Sequence, residues 1–137
     1  MSLFSPEDLV FRYTRKDAIR DGVLIDLSQG EFGALLHNAG FRYPTAMTDT
    51  AFKQYVTVTP AMRQAGQTEQ DRLWVILKAL GLAVGDSQAK QVQTDTLLFH
   101  FYTITETNQA VRCRLKVVAG HDDDGNPCVT LMLPDED

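Results

Sequence analysis

The sequence predicts one α+β domain, in which an antiparallel C-terminal meander of three strands packs against an amphipathic helix and short helices from the N-terminal half. Three observations predict this class. Apolar residues recur at helical spacing over Thr68–Val84, three strand-like runs follow, and Asp124-Gly125 between two of these runs is typical of a hairpin turn. The 137 residues suffice for one buried core and show no dividing linker, so we expect residues 1–137 to form a single domain.

The first helix is predicted from Thr14, a favourable N-cap residue, with Asp17 at the position of its reciprocal partner. Gly22 ends this short helix, because glycine readily adopts the backbone conformation that follows a last helical turn. Val23–Leu27 comes next as a short apolar strand or extended segment, which would give the sheet a fourth strand. Glu31–Asn38 then forms a second short helix.

An extended stretch and a third helix complete the first half of the chain. Pro44 disfavours helical geometry at the residue before it, and Thr45–Met47 continues in extended form. Thr48 or Asp49 then caps a helix that runs to about Tyr55, since both residue types are favourable at an N-cap.

The clearest helix spans Thr68–Val84. Thr68 is its N-cap residue, and Asp71 lies at the partner position three residues later. The apolar residues form a stripe with the i, i+3, i+4, i+7 spacing of one helix face: Leu73, Ile76, Leu77, Leu80 and Val84. We expect this helix to cover one face of the sheet.

The C-terminal third is predicted to be β-structure. Polar turn sequences separate three strand-like runs, which are Thr96–Ile104, Val111–Ala119 and Cys128–Leu133. Because short turns join consecutive runs, the three are expected to pair as an antiparallel meander.

The most distinctive predicted surface is the outward face of the first two of these strands. Aligning their apolar sides places His100 near Arg114 and Tyr102 near Arg112, with Lys116 in the same row as the arginines. We call these five residues the basic face. Guanidinium groups beside an aromatic ring can bind phosphate and stack on bases, which would make it an anion or nucleic-acid platform. The simpler interpretation is a solvated face whose basic side chains pair with nearby carboxylates.

The sequence contains no recognisable catalytic motif, cofactor site or metal site. Cys113 and Cys128 fall far apart on the predicted hairpin and are expected to be unpaired thiols. Asp122–Asn126 could offer oxygen ligands to calcium, but it lacks the EF-hand spacing and fits a tight turn. A site assembled from distant residues, such as His37 with Cys113, is the remaining route to an enzyme, and nothing in the sequence points to one.

Charge and hydropathy limit the expected cellular location of the protein and the classes of partner that it can bind. The net charge of −5 argues mildly against a sequence-blind nucleic-acid binder, although much of it comes from acidic residues near the C-terminus. No apolar run approaches the roughly 20 residues that a membrane span needs, and the opening residues do not resemble a signal peptide. We therefore expect a cytoplasmic protein with no membrane partner.

A resemblance to a known family rests on four stretches, which are Tyr13–Asp26, Gly40–Pro44, Gly66–Leu80 and Leu115–Asp137. They are similar to a family of small bacterial proteins that is frequent on plasmids, phages and other mobile elements and is known only as a domain of unknown function. The stretches span most of the chain, but the resemblance says least about the basic face. It implies a genetic setting and supplies no activity, cofactor or catalytic residue.

Together these observations predict a non-enzymatic interaction or accessory protein of a mobile genetic element, whose partner is another protein. The alternative is a nucleic-acid-associated protein that uses Arg112, Arg114, Lys116 and Tyr102. Assembly into a homo-oligomer is compatible with either function.

Overall fold

The computed structural model describes residues 13–89 and 94–136, which form a layer of helices against one sheet. The helices are α1 (Arg15–Arg20), α2 (Gly30–Asn38), α3 (Asp49–Tyr55), α4 (Pro60–Gln64) and α5 (Glu69–Ala89). The strands are β1 (Leu24–Asp26), β2 (Thr45–Thr48), β3 (Thr96–Ile104), β4 (Ala110–His121) and β5 (Pro127–Met132). None of these helices is both long enough and apolar enough to cross a membrane.

The five strands in the described ranges form one mixed sheet with the order β1-β2-β5-β4-β3. As predicted, β3, β4 and β5 are consecutive antiparallel neighbours. The expectation of a purely antiparallel sheet of three or four strands needs correction, because β2 pairs in parallel with β5 and β1 joins antiparallel to β2. All four residues of β2 are buried, so its sequence lacks the polar–apolar alternation that marks a strand with one wet face.

The core lies between one face of the sheet and helices α2, α3 and α5. The apolar stripe predicted for α5 supplies four buried core residues, Leu73, Ile76, Leu77 and Leu80. The strands contribute inward side chains that alternate along β3 and β4: Phe99, Phe101, Leu115 and Val117. Helix α5 runs past its predicted end at Val84, through Gly81 and Gly85, so the two glycines do not interrupt it.

The opposite face of the sheet, here called the outer face, is covered on one side only. Helix α1 and the segment 133–136 lie over β1, β2 and β5, where they bury four outward side chains: Ala46, Thr48, Cys128 and Met132. Over β4 and β3 the outward side chains are mostly exposed. The basic face lies in this open half.

Helix α1 is capped as its sequence predicts. Thr14 Oγ1 accepts a hydrogen bond from the Asp17 N–H at 3.1 Å, and the Asp17 carboxylate accepts one from the Thr14 N–H at 3.2 Å. Gly22 follows the helix with a φ of 79°, a left-handed conformation that favours glycine. The short helix is therefore fixed at both ends by local hydrogen bonding and backbone geometry.

Candidate interaction surface

The pairing of β3 with β4 brings the basic face together in the predicted register. His100 lies directly opposite Arg114, and Tyr102 lies directly opposite Arg112. Lys116 follows in the same row of β4, where it is opposite Leu98. The register is set by the apolar alternation on the core side, because a slip of one residue would turn Phe99 and its neighbours outward.

Aromatic and apolar side chains are exposed between these charges. The Tyr102 side chain is 60% exposed, and Leu98 on the same strand and the same face is 50% exposed. Leu98 was absent from the predicted set, although its outward position in an alternating strand is a readable signal. The open half therefore combines basic groups with large apolar ones, a composition typical of protein interfaces.

The two arginines of the basic face are without ionic partners in the described part of the chain. No ion pair or hydrogen bond within residues 13–89 and 94–136 involves the guanidinium group of Arg112 or Arg114. The ion pairs found elsewhere in residues 13–89 and 94–136 lie on or next to the helices, or join α1 to the β4–β5 turn. Both side chains are exposed without an ion pair in the described residues, which is compatible with a solvated face and with a binding surface.

Lys116 differs from the arginines because it holds the C-terminal segment. Its side chain is half-buried, and its ammonium group donates a hydrogen bond to the backbone carbonyl of Glu136. The Glu136 carboxylate accepts from the Thr48 hydroxyl at 2.7 Å and from the Leu133 N–H at 2.9 Å. Lys116 and Glu136 thus fasten the segment 133–136 to the outer face, and only part of the basic face is available to a ligand.

A pocket of about 160 Å³ lies beside the end of β3, next to the partly buried arginine Arg72 of α5. The Arg72 guanidinium donates to the backbone carbonyls of Tyr55 and Ile104, each at 2.8 Å, and to the Thr103 hydroxyl at 2.8 Å. Burial lowers the pKa of this guanidinium from its ordinary value. Since its donors already join α3, α5 and β3, Arg72 is a structural anchor.

The acidic residues of the β4–β5 turn make structural hydrogen bonds. Asp122 Oδ1 accepts from the backbone N–H groups of Asp124 and Asn126, each at 2.9 Å, as expected for a tight turn. Asp123 accepts from the N–H groups of Arg15 and Lys16, each at 3.0 Å, and so caps α1 from across the molecule. Within the described ranges no cluster of His, Cys, Asp or Glu has the geometry of a metal site.

The residues considered for catalysis lie in different places. His37 lines a hollow with Phe41 and Tyr43, whereas Cys113 lies on the core side of β4, opposite Phe101. Burial raises the pKa of Tyr55. Both Cys113 and Cys128 are free thiols, as expected.

Comparison with known proteins gives one positive result. A family model described as "Family of unknown function (DUF6573)" matches residues 1–137. Comparison with curated proteins and with solved structures finds no match. Because the matched family has no known function, a role for the chain is inferred from its surface.

Proposed function

Since the chain belongs to DUF6573, a family of unknown function, we propose from its surface that it is a non-enzymatic interaction protein, and that the open half of the outer face binds an acidic partner protein. The observation that carries this proposal is the pair of exposed arginines without ionic partners in the described residues, Arg112 and Arg114, beside the exposed side chains of Tyr102 and Leu98. Arginine and tyrosine are enriched at protein interfaces and are frequent among the residues that dominate binding energy.

Charge supports a protein partner over indiscriminate binding of nucleic acid. The net charge of −5 disfavours a polyanion that would run along the whole surface, whereas the two guanidinium groups form a local positive patch that a few carboxylates can match. Carboxylates on a partner could pair with these groups in bidentate geometry, and its apolar residues could cover Leu98 and Tyr102. Such a surface favours a partner with both acidic and apolar residues.

The genetic setting is part of the same proposal. The resemblance in stretches such as Tyr13–Asp26 and Gly66–Leu80 supports a cytoplasmic accessory protein of a mobile genetic element. An element of this kind needs proteins that act by binding other components, and an exposed recognition face serves that purpose without catalytic groups.

A second candidate function is association with nucleic acid, and one observation favours it. The cross-strand pairs His100–Arg114 and Tyr102–Arg112 place rings beside guanidinium groups on an open sheet face. Single-stranded nucleic acids are bound by stacking of bases on aromatic rings and by contacts of basic groups with phosphates. Steep weakening of binding with salt distinguishes this mode from a protein interface with an apolar centre.

The test is an affinity pull-down from lysate of the native host with the wild-type chain and two variants. We expect wild type to retain one protein through a high-salt wash, and Arg114→Glu to lose most of it, since the substitution places a carboxylate in the contact. Arg42→Glu makes the same charge change in the exposed loop before β2 and should retain the partner. Because Arg114 is exposed and has no partner in the described residues, its variant should melt within a degree or two of wild type.

Two outcomes would change the conclusion. Nucleic acid recovered at low salt and released at high salt, again lost with Arg114→Glu, would put the second candidate first. Equal retention by wild type and Arg114→Glu would remove the basic face from the binding surface.

A further inference from the structure

Strand β3 forms one edge of the sheet in the described part of the chain, and its own sequence has none of the usual features that protect an edge. It is nine residues long, and its sequence, Thr96–Ile104, contains no proline, glycine, lysine, arginine, aspartate or glutamate. Natural edge strands are usually kept from pairing with other chains by lysines, prolines, bulges or short length. An edge of this length and composition is suited to pairing.

The hydrogen bonding to β4 determines which backbone groups of β3 point away from the sheet. The Thr105 N–H donates to the Gln109 carbonyl at 2.9 Å, and the Ala119 N–H donates to the Asp95 carbonyl at 2.7 Å. In an antiparallel ladder, hydrogen-bonded pairs alternate with non-hydrogen-bonded ones. The odd-numbered residues of β3 are therefore bonded to β4, and the even-numbered residues direct their N–H and C=O groups to the open edge.

Local hydrogen bonds close this edge at both ends. At one end the Thr94 hydroxyl accepts from the Thr96 N–H at 3.2 Å and donates to the Thr96 carbonyl at 2.9 Å. At the other end Arg72 donates to the Ile104 carbonyl at 2.8 Å. Between them, the outward backbone groups of Leu98, His100 and Tyr102 have no hydrogen-bond partner within residues 13–89 and 94–136.

We propose that these three residues pair with the same three residues of a second copy of the chain, in an antiparallel register whose two-fold axis passes beside His100. In this register each Leu98 lies opposite the second copy's Tyr102, and the two His100 residues lie opposite each other. All the outward N–H and C=O groups of the three residues are then satisfied. The two sheets become one continuous sheet, in a closed dimer with a self-complementary interface.

Side chains and charges fit a second copy of the chain. Each Leu98–Tyr102 pair places an aliphatic group beside an aromatic ring, a favourable cross-strand combination, and both side chains stay on the outer face of the joined sheet. The arginine rows lie on β4, so three strand spacings, about 14 Å, separate the two rows. That distance exceeds the Debye length of about 8 Å at physiological ionic strength, so repulsion between the rows is largely screened.

This inference goes beyond the proposed function, because it concerns the edge of the sheet and needs no partner protein. Dimerisation would bring two copies of the basic face onto one surface. The failure of either proposal leaves the other intact: Arg114→Glu tests the face and should leave the dimer unchanged, whereas substitutions at the edge test the dimer.

The first experiment is sedimentation velocity of the full chain over a wide range of concentrations, with two variants at one position. Wild type should shift from monomer to dimer as concentration rises. His100→Pro removes an N–H that points to the edge and is not bonded to β4, and it should raise the dimer dissociation constant about 30-fold through the loss of two hydrogen bonds. His100→Ala keeps the N–H and should dimerise nearly as wild type does. A wild type that stays monomeric throughout, or a Pro variant that matches the Ala variant, would overturn the proposal.

Amide hydrogen exchange of wild type provides a test that does not depend on the folding of a variant. On concentration, the amides of Leu98, His100 and Tyr102 should become protected, while those of Phe99 and Phe101 should be protected at every concentration by their bonds to β4. Absence of this alternation, or growth of open-ended filaments in place of a dimer, would contradict the two-fold arrangement. So would a monomer whose β3 edge is protected only by an added extended peptide.

Discussion

The two halves of the outer face are built from one sheet and have opposite characters. Over β1, β2 and β5 the outward residues are buried, among them Met132 at 7% exposure and Ala46 at 1%. Over β4 and β3 the outward residues Leu98 and Tyr102 are half or more exposed, and Arg112 and Arg114 lie between them and the covered half. The same alternation of side chains thus produces a second small core in one half and an open surface in the other.

The two halves differ because α1 and the segment 133–136 cover only one of them. The Arg15 guanidinium donates to the Thr130 hydroxyl at 2.6 Å and to the Val129 carbonyl at 2.9 Å, which holds α1 over β5. Lys116 and Glu136 hold the C-terminal segment at the boundary with β4. Whether an outward side chain of this sheet is exposed therefore depends on the segments that cover it.

The largest effect should come from shortening one outward side chain in each half. Met132→Ala leaves a cavity beneath the covering segments and should cost about 2–5 kcal/mol of unfolding free energy, whereas Leu98→Ala should change it by about 0.5 kcal/mol or less. Urea denaturation at a protein concentration that keeps the chain monomeric measures both. Similar costs for the two variants would show that the halves do not differ in the way described.

A smaller effect should follow from removing the contact that caps α1 from the β4–β5 turn. Asp123→Ala frees the N–H groups of Arg15 and Lys16 and should cost about 1 kcal/mol, the usual value for a lost helix cap. The neighbouring Asp124 carboxylate is exposed and 3.9 Å from the Lys16 ammonium group, so Asp124→Ala should have little effect. Thermal unfolding measures the stability of both variants. A lower melting temperature for Asp123→Ala alone would show that the turn holds α1, and equal melting temperatures would show that it only lies near α1.

The smallest effect should appear in acid. The hydrogen bonds from the backbone and the hydroxyl of Thr14 hold the pKa of Asp17 below its ordinary value of 3.8. A carboxylate whose folded-state pKa is depressed stabilises the folded state above the unfolded pKa, and this contribution is lost as the pH falls through the folded pKa. The signals of Tyr13 and of α1 should therefore change below about pH 3.8 in an NMR titration.

Asp17→Asn is the matched variant for that titration. It keeps the size of the side chain and removes its charge, so the part of the acid response of α1 that belongs to Asp17 should disappear. Asp21, whose pKa is also lowered, by its hydrogen bonds with Arg20 and Tyr13, should still titrate in the variant. An unchanged acid response in Asp17→Asn would assign the effect to other carboxylates.

The sequence predicted the open half well because that half is made of local pairings. The alternation of Arg112 and Arg114 with apolar residues, and the short turn between β3 and β4, determined which side chains lie opposite each other. The capping box of α1 and the apolar stripe of α5 were predictable for the same reason, since each depends on residues within one helical segment.

The covered half escaped prediction because its contacts join distant parts of the chain. No short turn connects Thr45–Thr48 with its parallel neighbour β5, so the sequence contains no hairpin signal for this pairing. Both faces of Thr45–Thr48 are buried. The hydrogen bonds of Arg15 to β5 and of Asp123 to α1 connect residues more than a hundred positions apart. No local pattern in the sequence marks such a contact. The free edge of β3 was likewise invisible until the order of the strands was known.

The position of β5 within the sheet also constrains how the chain can be made. It lies between β2 and β4 but follows both in chain order, so β2 and the β3–β4 hairpin are synthesised before the strand that joins them. Until then β2 has no parallel partner, and the β3–β4 hairpin has no backbone pairing that links it to β1 and β2. The native sheet therefore closes after synthesis of β5, and the nascent chain exposes apolar strands that chaperones can bind in the interval.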